Sequence, residues 1–118
     1  MARMTPLETA QRYVDLVDAQ DFAAIPVLFA PDALWRPAPP QPEVQGAAAI
    51  DAGYRALAER ETPAMRVVDR RFYVDGNTVV AEFGVDTDGV GVSEVVDVFT
   101  FDAAGLIVRM SAYSRPTS

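Results

Sequence analysis

Apolar residues in the first half of the chain recur at helical spacing. Leu7, Ala10, Val14 and Val17 form one stripe behind Thr5-Pro6-Leu7-Glu8, where Thr5 is a helix cap and Glu8 completes a capping box. A second helix is predicted after Asp21 over Phe22–Phe29, with a kink or a late start at Pro26. A third is predicted from Ala47 to about Arg60. The first half therefore predicts three helices.

The second half changes to strand-like patterning. The β-rich runs are Met65–Val74, Thr78–Thr87, Val90–Phe101 and Leu106–Ser114. Asp75-Gly76 and Asp88-Gly89 are hairpin signals, so these runs predict an antiparallel meander. A short strand over Ala33–Arg36 and a proline-rich loop over 37–42 precede it. Because 118 residues leave no room for a second core, we expect one α+β domain over 1–118.

The predicted strands carry apolar side chains on both faces. Val95, Phe99 and Phe101 share one face, and Val96 and Val98 lie on the other. One face can pack on the helices, whereas the other needs a cover. We therefore expect a homodimer that forms through the sheet.

Composition narrows the chemistry. The chain has no cysteine and no histidine, which excludes disulfides, zinc fingers and His-dependent triads. Acid–base work would fall to carboxyls or tyrosines with shifted pKa values. We find no nucleotide, metal or haem motif and expect no cofactor.

Charge and hydropathy exclude two classes of partner and suggest a location. Ten Lys and Arg against 17 Asp and Glu give a net charge of −7, which argues against nucleic-acid and anionic-membrane surfaces. No apolar run reaches the length of a membrane span or of a signal-peptide core. We expect a cytoplasmic protein that binds no membrane.

Two carboxylates are candidate site residues. A two-residue turn at Asp88-Gly89 would place Glu82 opposite Val95 and Asp97 opposite Val80, with all four on one face. Two acids on an apolar face would push their pKa values apart. The structural alternative is an Asp97 bonded to a neighbouring strand and a Glu82 that reaches solvent.

Two tyrosines and two residues before the proline loop complete the candidates. Tyr13 and Tyr54 lie on predicted helices, where a phenol can donate a hydrogen bond to an oxyanion or simply be half-buried. Trp35 could line a pocket or fill one. Arg36 could pair with one of the two carboxylates or reach solvent.

Four stretches resemble the bacterial ketosteroid isomerases of the NTF2-like (SnoaL-like, cystatin-like) superfamily. They are Gln11-Arg12-Tyr13-Val14, Ile25–Ala33, Gly46–Tyr54 and Asp97–Met110. The resemblance covers almost the whole chain with almost no gaps. It implies a curved antiparallel sheet wrapped by three N-terminal helices, a cone with a deep apolar pocket, and dimerisation through the sheet.

The resemblance also implies residue roles. Tyr13 and a protonated Asp97 would donate hydrogen bonds to the enolate oxygen, and Tyr54 would support Tyr13. The general base of the isomerases falls on Pro37, or on Arg36 if the loop shifts by one. Neither side chain can take a proton from carbon. The oxyanion hole is therefore expected without its usual base.

The expected function is binding of, or action on, a small apolar carbonyl compound such as a steroid or polyketide. The residues expected to line its site are Trp35, Arg36, Met65, Val80, Val95 and Phe99. Glu82 could be a relocated base or the partner of Asp97. The cone could instead run epoxide-hydrolase or cyclase chemistry with Asp, Arg, Tyr and water, or bind a ligand without reaction. A cone filled by Trp35 and Met65 would favour a purely structural dimer.

Overall fold

Two α-helices and six β-strands are present in the computed structural model, which describes residues 4–117. The helices are α1, Pro6–Asp18, and α2, Ala47–Glu59. The strands are β1, Phe29–Arg36; β2, Val44–Gln45; β3, Met65–Asp75; β4, Thr78–Thr87; β5, Gly91–Phe101; and β6, Ile107–Pro116. Neither α-helix within residues 4–117 is long and apolar enough to cross a membrane.

Helix α1 begins at the predicted capping box. The Glu8 backbone N–H donates to Thr5 Oγ1 at 3.1 Å, and the Thr5 N–H donates to Glu8 Oε1 at 2.9 Å. These bonds satisfy donors that the first turn leaves free. The buried side includes Ala10, Tyr13 and Val14, so the cap and the apolar stripe together position Tyr13 towards the core.

The predicted second helix is wrong. Its place is taken by two single 3₁₀ turns, Phe22–Ala24 and Pro26–Leu28, and β1 begins directly afterwards at Phe29. Pro26 has no backbone N–H and its ring obstructs an α-helical turn before it, so no continuous helix forms. The helix predicted from Ala47 agrees with α2.

The sheet has the strand order β2-β1-β6-β5-β4-β3. The predicted meander is confirmed, because β3, β4, β5 and β6 pair antiparallel in sequence order. Strand β1 adds to β6 in parallel, with Trp35 opposite Met110, and β2 pairs with β1. The sheet is therefore mixed and has six strands rather than four.

The hairpin between β4 and β5 has three loop residues instead of two. Thr87 pairs with Gly91, and the loop of residues 88–90 closes with a hydrogen bond from Val90 N–H to the Thr87 carbonyl at 3.0 Å. Gly89 adopts a φ of +76°, which glycine reaches without steric cost. The extra loop residue shifts the β4–β5 register by one from the prediction.

That shift decides which side chains share a face. Asp97 pairs with Ala81, and Glu82 pairs with Val96. Because side chains alternate, Asp97 faces the helices while Glu82 and Val80 lie on the outer face. The predicted face shared by Glu82 and Asp97 is therefore wrong. The homodimer expected through the outer face stays a prediction.

A bulge in β3 lies beside the polar contacts that join α1 to the sheet. The β3–β4 register shifts between Val68 and Arg71, and Asp69 has a φ of +52°. The guanidinium of Arg70 pairs with Asp15 and Asp18 of α1. Asp18 Oδ1 also accepts the Val67 N–H at 2.7 Å.

Candidate functional site

Asp97 is a buried carboxyl at the middle of the sheet. It lies on β5 between Ala81 of β4 and Ala112 of β6, and only 3% of it is exposed. Both cross-strand neighbours are alanines, so neither can form the side-chain hydrogen bond that a purely structural Asp97 would make with an adjacent strand. Burial raises the pKa of Asp97 from 3.8 to about 8. At pH 7 the carboxyl is therefore mainly neutral and can donate a hydrogen bond.

Tyr13 and Tyr54 are joined by a short hydrogen bond between α1 and α2. Their hydroxyl oxygens are 2.6 Å apart, and either can be the donor. Burial is the main cause that raises the pKa of both phenols well above 10. Since the pair uses one hydroxyl hydrogen, the accepting phenol keeps its own for another oxygen.

Trp35 extends this aromatic group. Its ring stacks on Tyr54 with a centroid separation of 4.2 Å and an interplanar angle of 17°. The indole also contacts α2 at Gly53, where an added Cβ would lie 2.7 Å from Trp35 Cζ3. The glycine thus leaves the space that the indole occupies.

These side chains border a cavity of about 190 Å³ that opens to solvent. Its lining is Tyr13, Val17, Phe22, Trp35, Pro37, Ala38, Tyr54, Leu57, Phe83, Val85, Val95, Asp97, Met110 and Ala112. Apart from the two phenols, the indole N–H and the carboxyl, the side chains of this lining are apolar. Because the two phenols and the carboxyl are buried among apolar side chains, hydrogen bonds that they make are strengthened by the low local polarity.

Half of the ten predicted site residues come together here. Tyr13, Tyr54, Asp97, Trp35 and Val95 all line the cavity. Phe99, also predicted to contact substrate, is not part of this lining. Its ring is fully buried and packs edge-on against Tyr13, with centroids 5.1 Å apart.

Glu82 and Val80 lie on the outer face of the sheet, away from this cavity. Glu82 is exposed, and its Oε1 accepts a hydrogen bond from Tyr73 Oη at 3.4 Å. It lines a different and larger depression of about 470 Å³, together with Arg71 and Arg115 among others. The predicted placement of Glu82 beside Asp97 is therefore wrong.

Arg36 and Met65 are also outside the cavity lining. Arg36 pairs with Glu43 at 3.9 Å rather than with Glu82 or Asp97. The Met65 backbone N–H donates to a glutamine side chain, and Met65 does not fill the cone. Within residues 4–117, no cluster of three carboxylates is arranged to hold a metal ion.

Several lining residues were missed, although the sequence carried a signal for some of them. Val17 lies one turn after Tyr13, and Leu57 lies one turn after Tyr54, so helical spacing places them on the same faces. Phe83 and Val85 follow from strand alternation once the correct hairpin length is known. Gly53 carried no signal, because its contact with Trp35 is between distant parts of the chain.

Comparison with known proteins agrees with this architecture. The SnoaL-like domain matches residues 10–110. A steroid Delta-isomerase of Nocardioides simplex is 38% identical over 108 residues, covering 89% of this chain and 85% of that protein. A crystal structure of a protein from Sphaerobacter thermophilus superposes with a TM-score of 0.76 at 21% identity, covering 95% of this chain and 97% of the other. The chain therefore belongs to the SnoaL-like family within the NTF2-like superfamily, and it is related to the ketosteroid isomerases.

Proposed function

We propose that this protein is a ketosteroid-isomerase-like pocket protein that binds a small apolar carbonyl compound and polarises its oxygen. Tyr13 and neutral Asp97 donate the hydrogen bonds, and Tyr54 orients Tyr13. The observation that carries this proposal is a buried carboxyl whose pKa is raised to about 8, in one apolar cavity with the tyrosine pair.

Both donors suit an oxygen that gains negative charge. A neutral carboxyl and a neutral phenol can approach such an oxygen without like-charge repulsion. Fixed donors with apolar surroundings stabilise a developing oxyanion more than water does, and Tyr13 and Asp97 are both buried. The steroid Delta-isomerase relationship supports a ketone as the class of ligand.

Isomerisation of a β,γ-unsaturated ketone needs more than polarisation. A base must remove a proton from the carbon between the carbonyl and the alkene and return a proton to the γ-carbon. Within residues 4–117, Asp97 is the one carboxyl in the cavity lining, and the expected base position holds Pro37. The geometry therefore favours binding and polarisation, with isomerisation slow for want of a base.

The alternative chemistries have less support. Epoxide hydrolysis or cyclisation would need Arg36 and a second carboxylate near Asp97, but Arg36 pairs with Glu43 and Glu82 lies on the outer face. A filled structural core is disfavoured by the open cavity of about 190 Å³.

The test is calorimetric titration with 2-naphthol, a phenol whose oxygen resembles that of an enol. Tyr13→Phe and Asp97→Leu each remove one donor, and each should weaken binding about tenfold. Tyr73→Phe on the outer face is the matched control and should bind like the wild type. Unchanged affinity in both cavity variants, with the fold intact, would refute the proposal.

A companion assay follows isomerisation of cyclohex-3-enone to the conjugated enone. We expect turnover near the buffer rate in the wild type. Fast turnover that is lost in Tyr13→Phe would instead make the protein an isomerase with a base that the lining does not reveal.

A further inference from the structure

The cavity is small for the ligands that ketone-binding cones are expected to hold. Its volume is about 190 Å³. Pockets for drug-sized ligands measure about 300–1,000 Å³, whereas a cavity of about 150 Å³ admits benzene. There is room for one ring and its substituents, with a second ring directed to the opening.

Trp35 forms one wall of this cavity, and its neighbours leave the indole no space to move away from it. One face of the indole stacks on Tyr54, which is itself tied to Tyr13 by the 2.6 Å hydrogen bond. The indole also meets the backbone of α2 at Gly53. To enlarge the cavity on this side, α2 would have to move or the tyrosine pair would have to separate.

The lining also limits the polar groups of a ligand. Among the described residues that border the cavity there is no lysine or arginine, so a carboxylate or phosphate would be buried without a counter-charge. The polar groups of the lining are the phenols of Tyr13 and Tyr54, the indole N–H of Trp35 and the neutral carboxyl of Asp97, which suit an uncharged ligand oxygen.

We propose that Trp35 is a specificity-determining residue that restricts the site to compounds of one or two rings with a single carbonyl or phenol oxygen. Four fused rings exceed the volume of the cavity, so a ligand of that size would need Trp35 to move or would have to project through the opening. This inference rests on the proposed function, since it assumes that the cavity holds the ligand, and it narrows the class of compound.

The experiment compares two phenols with the same head group. Equilenin contains the naphthol unit of 2-naphthol and adds two further fused rings. By calorimetry, the wild type should bind 2-naphthol at least about tenfold more tightly than equilenin. Trp35→Ala should raise the affinity for equilenin about tenfold, with no gain for 2-naphthol.

Two further variants keep the test decisive. Trp35→Phe removes less volume, is easier to accommodate in the fold, and should give an intermediate gain for equilenin. Tyr73→Ala removes an exposed aromatic side chain on the outer face and should leave both affinities unchanged.

The outcomes separate the two proposals. Equal binding of both phenols by the wild type, or no gain for equilenin in folded Trp35 variants, overturns the size limit and leaves the proposed function standing. If neither phenol binds to any variant, the proposed function is refuted and the size limit with it.

Discussion

The indole of Trp35 and the backbone of Gly53 are in direct contact, so that a methyl group on Gly53 would lie 2.7 Å from Trp35 Cζ3. Glycine inside a helix costs about 1 kcal/mol relative to alanine. Helix α2 bears this cost at Gly53 although it is otherwise rich in alanine. The contact with Trp35 is the physical reason, because it leaves no space for a Cβ.

Gly53→Ala should therefore displace the indole. We expect a lower free energy of unfolding in urea, despite the better helix propensity of alanine. Trp35 is the one tryptophan of the chain, so its emission spectrum should also change. In a Trp35→Leu background the clash is relieved, and the same substitution should stabilise the protein by up to about 1 kcal/mol. A stabilising effect in both backgrounds would show that the contact is not restrictive.

Asp97 should make stability fall as the pH rises. Its carboxyl has an ordinary pKa of 3.8, and burial raises that pKa to about 8. Between these values the unfolded chain is ionised at this position while the folded chain is not, so rising pH favours unfolding. Above about pH 8 the loss is complete. Below about pH 4 it disappears.

Comparison with Asp97→Asn isolates this effect, because the amide stays neutral. As the pH rises from 4 to 8, the wild type should lose stability relative to Asp97→Asn. The difference between their free energies of unfolding should change by at most about 1.4 kcal/mol per pH unit. Urea titrations at several pH values measure it. A constant difference would mean that Asp97 titrates normally in the folded protein.

Ligand binding should depend on the same proton. Above pH 8 the ionised Asp97 would repel a carbonyl oxygen, so affinity for cyclohex-2-enone should decrease there. Asp97→Asn keeps a neutral donor and should bind with little dependence on pH. An identical pH profile for both proteins would assign the dependence to another group.

Pro37→Asp should supply the missing base. Pro37 lines the cavity, so a carboxylate at this position would border the same space as Tyr13 and Asp97. We expect isomerisation of cyclohex-3-enone to increase by about 10²-fold or more, the usual contribution of a positioned general base. Pro37→Asn is the matched control and should show no increase. Equal rates for both would indicate a cavity that does not orient the substrate for proton transfer.

Asp15 and Asp18 both join α1 to β3, but their loss should reduce stability by different amounts. Asp18→Ala leaves the half-buried Val67 N–H without its acceptor, which we expect to cost about 1–3 kcal/mol. Asp15→Ala removes an exposed partner of Arg70 and should cost less than about 1 kcal/mol. Thermal unfolding of both variants measures the contrast. Equal losses would show that the ion pair, not the backbone acceptor, secures the helix.

Capping motifs, helical spacing and strand alternation correctly predicted part of this structure. The capping box fixes where α1 begins, and helical spacing from there places Tyr13 on the buried side. Strand alternation alone places Asp97 with Phe99. The candidate donors were therefore predictable from short stretches of sequence.

The errors concern chain geometry that short stretches do not determine. An Asp-Gly pair fits hairpin loops of two or three residues, and that difference moved Glu82 to the other face of the sheet. The parallel pairing of β1 with β6 joins residues more than 70 positions apart. A turn motif in the sequence cannot predict it, because such motifs connect only neighbouring strands. The contact of Trp35 with Gly53 likewise joins a strand to a helix that follows it after a loop and a short strand.

The three-residue hairpin loop at 88–90 makes the site sensitive to chain length rather than to residue type. Removing one residue there would shift the register of β5 against β4 by one and exchange the two faces of β5. The carboxyl of Asp97 would then lie on the outer face, and the side chain of Val96 would face the cavity. Val90 is exposed, so substitutions there should leave that orientation intact. Among relatives of this protein, insertions and deletions at this loop should therefore be much rarer than changes in its residues.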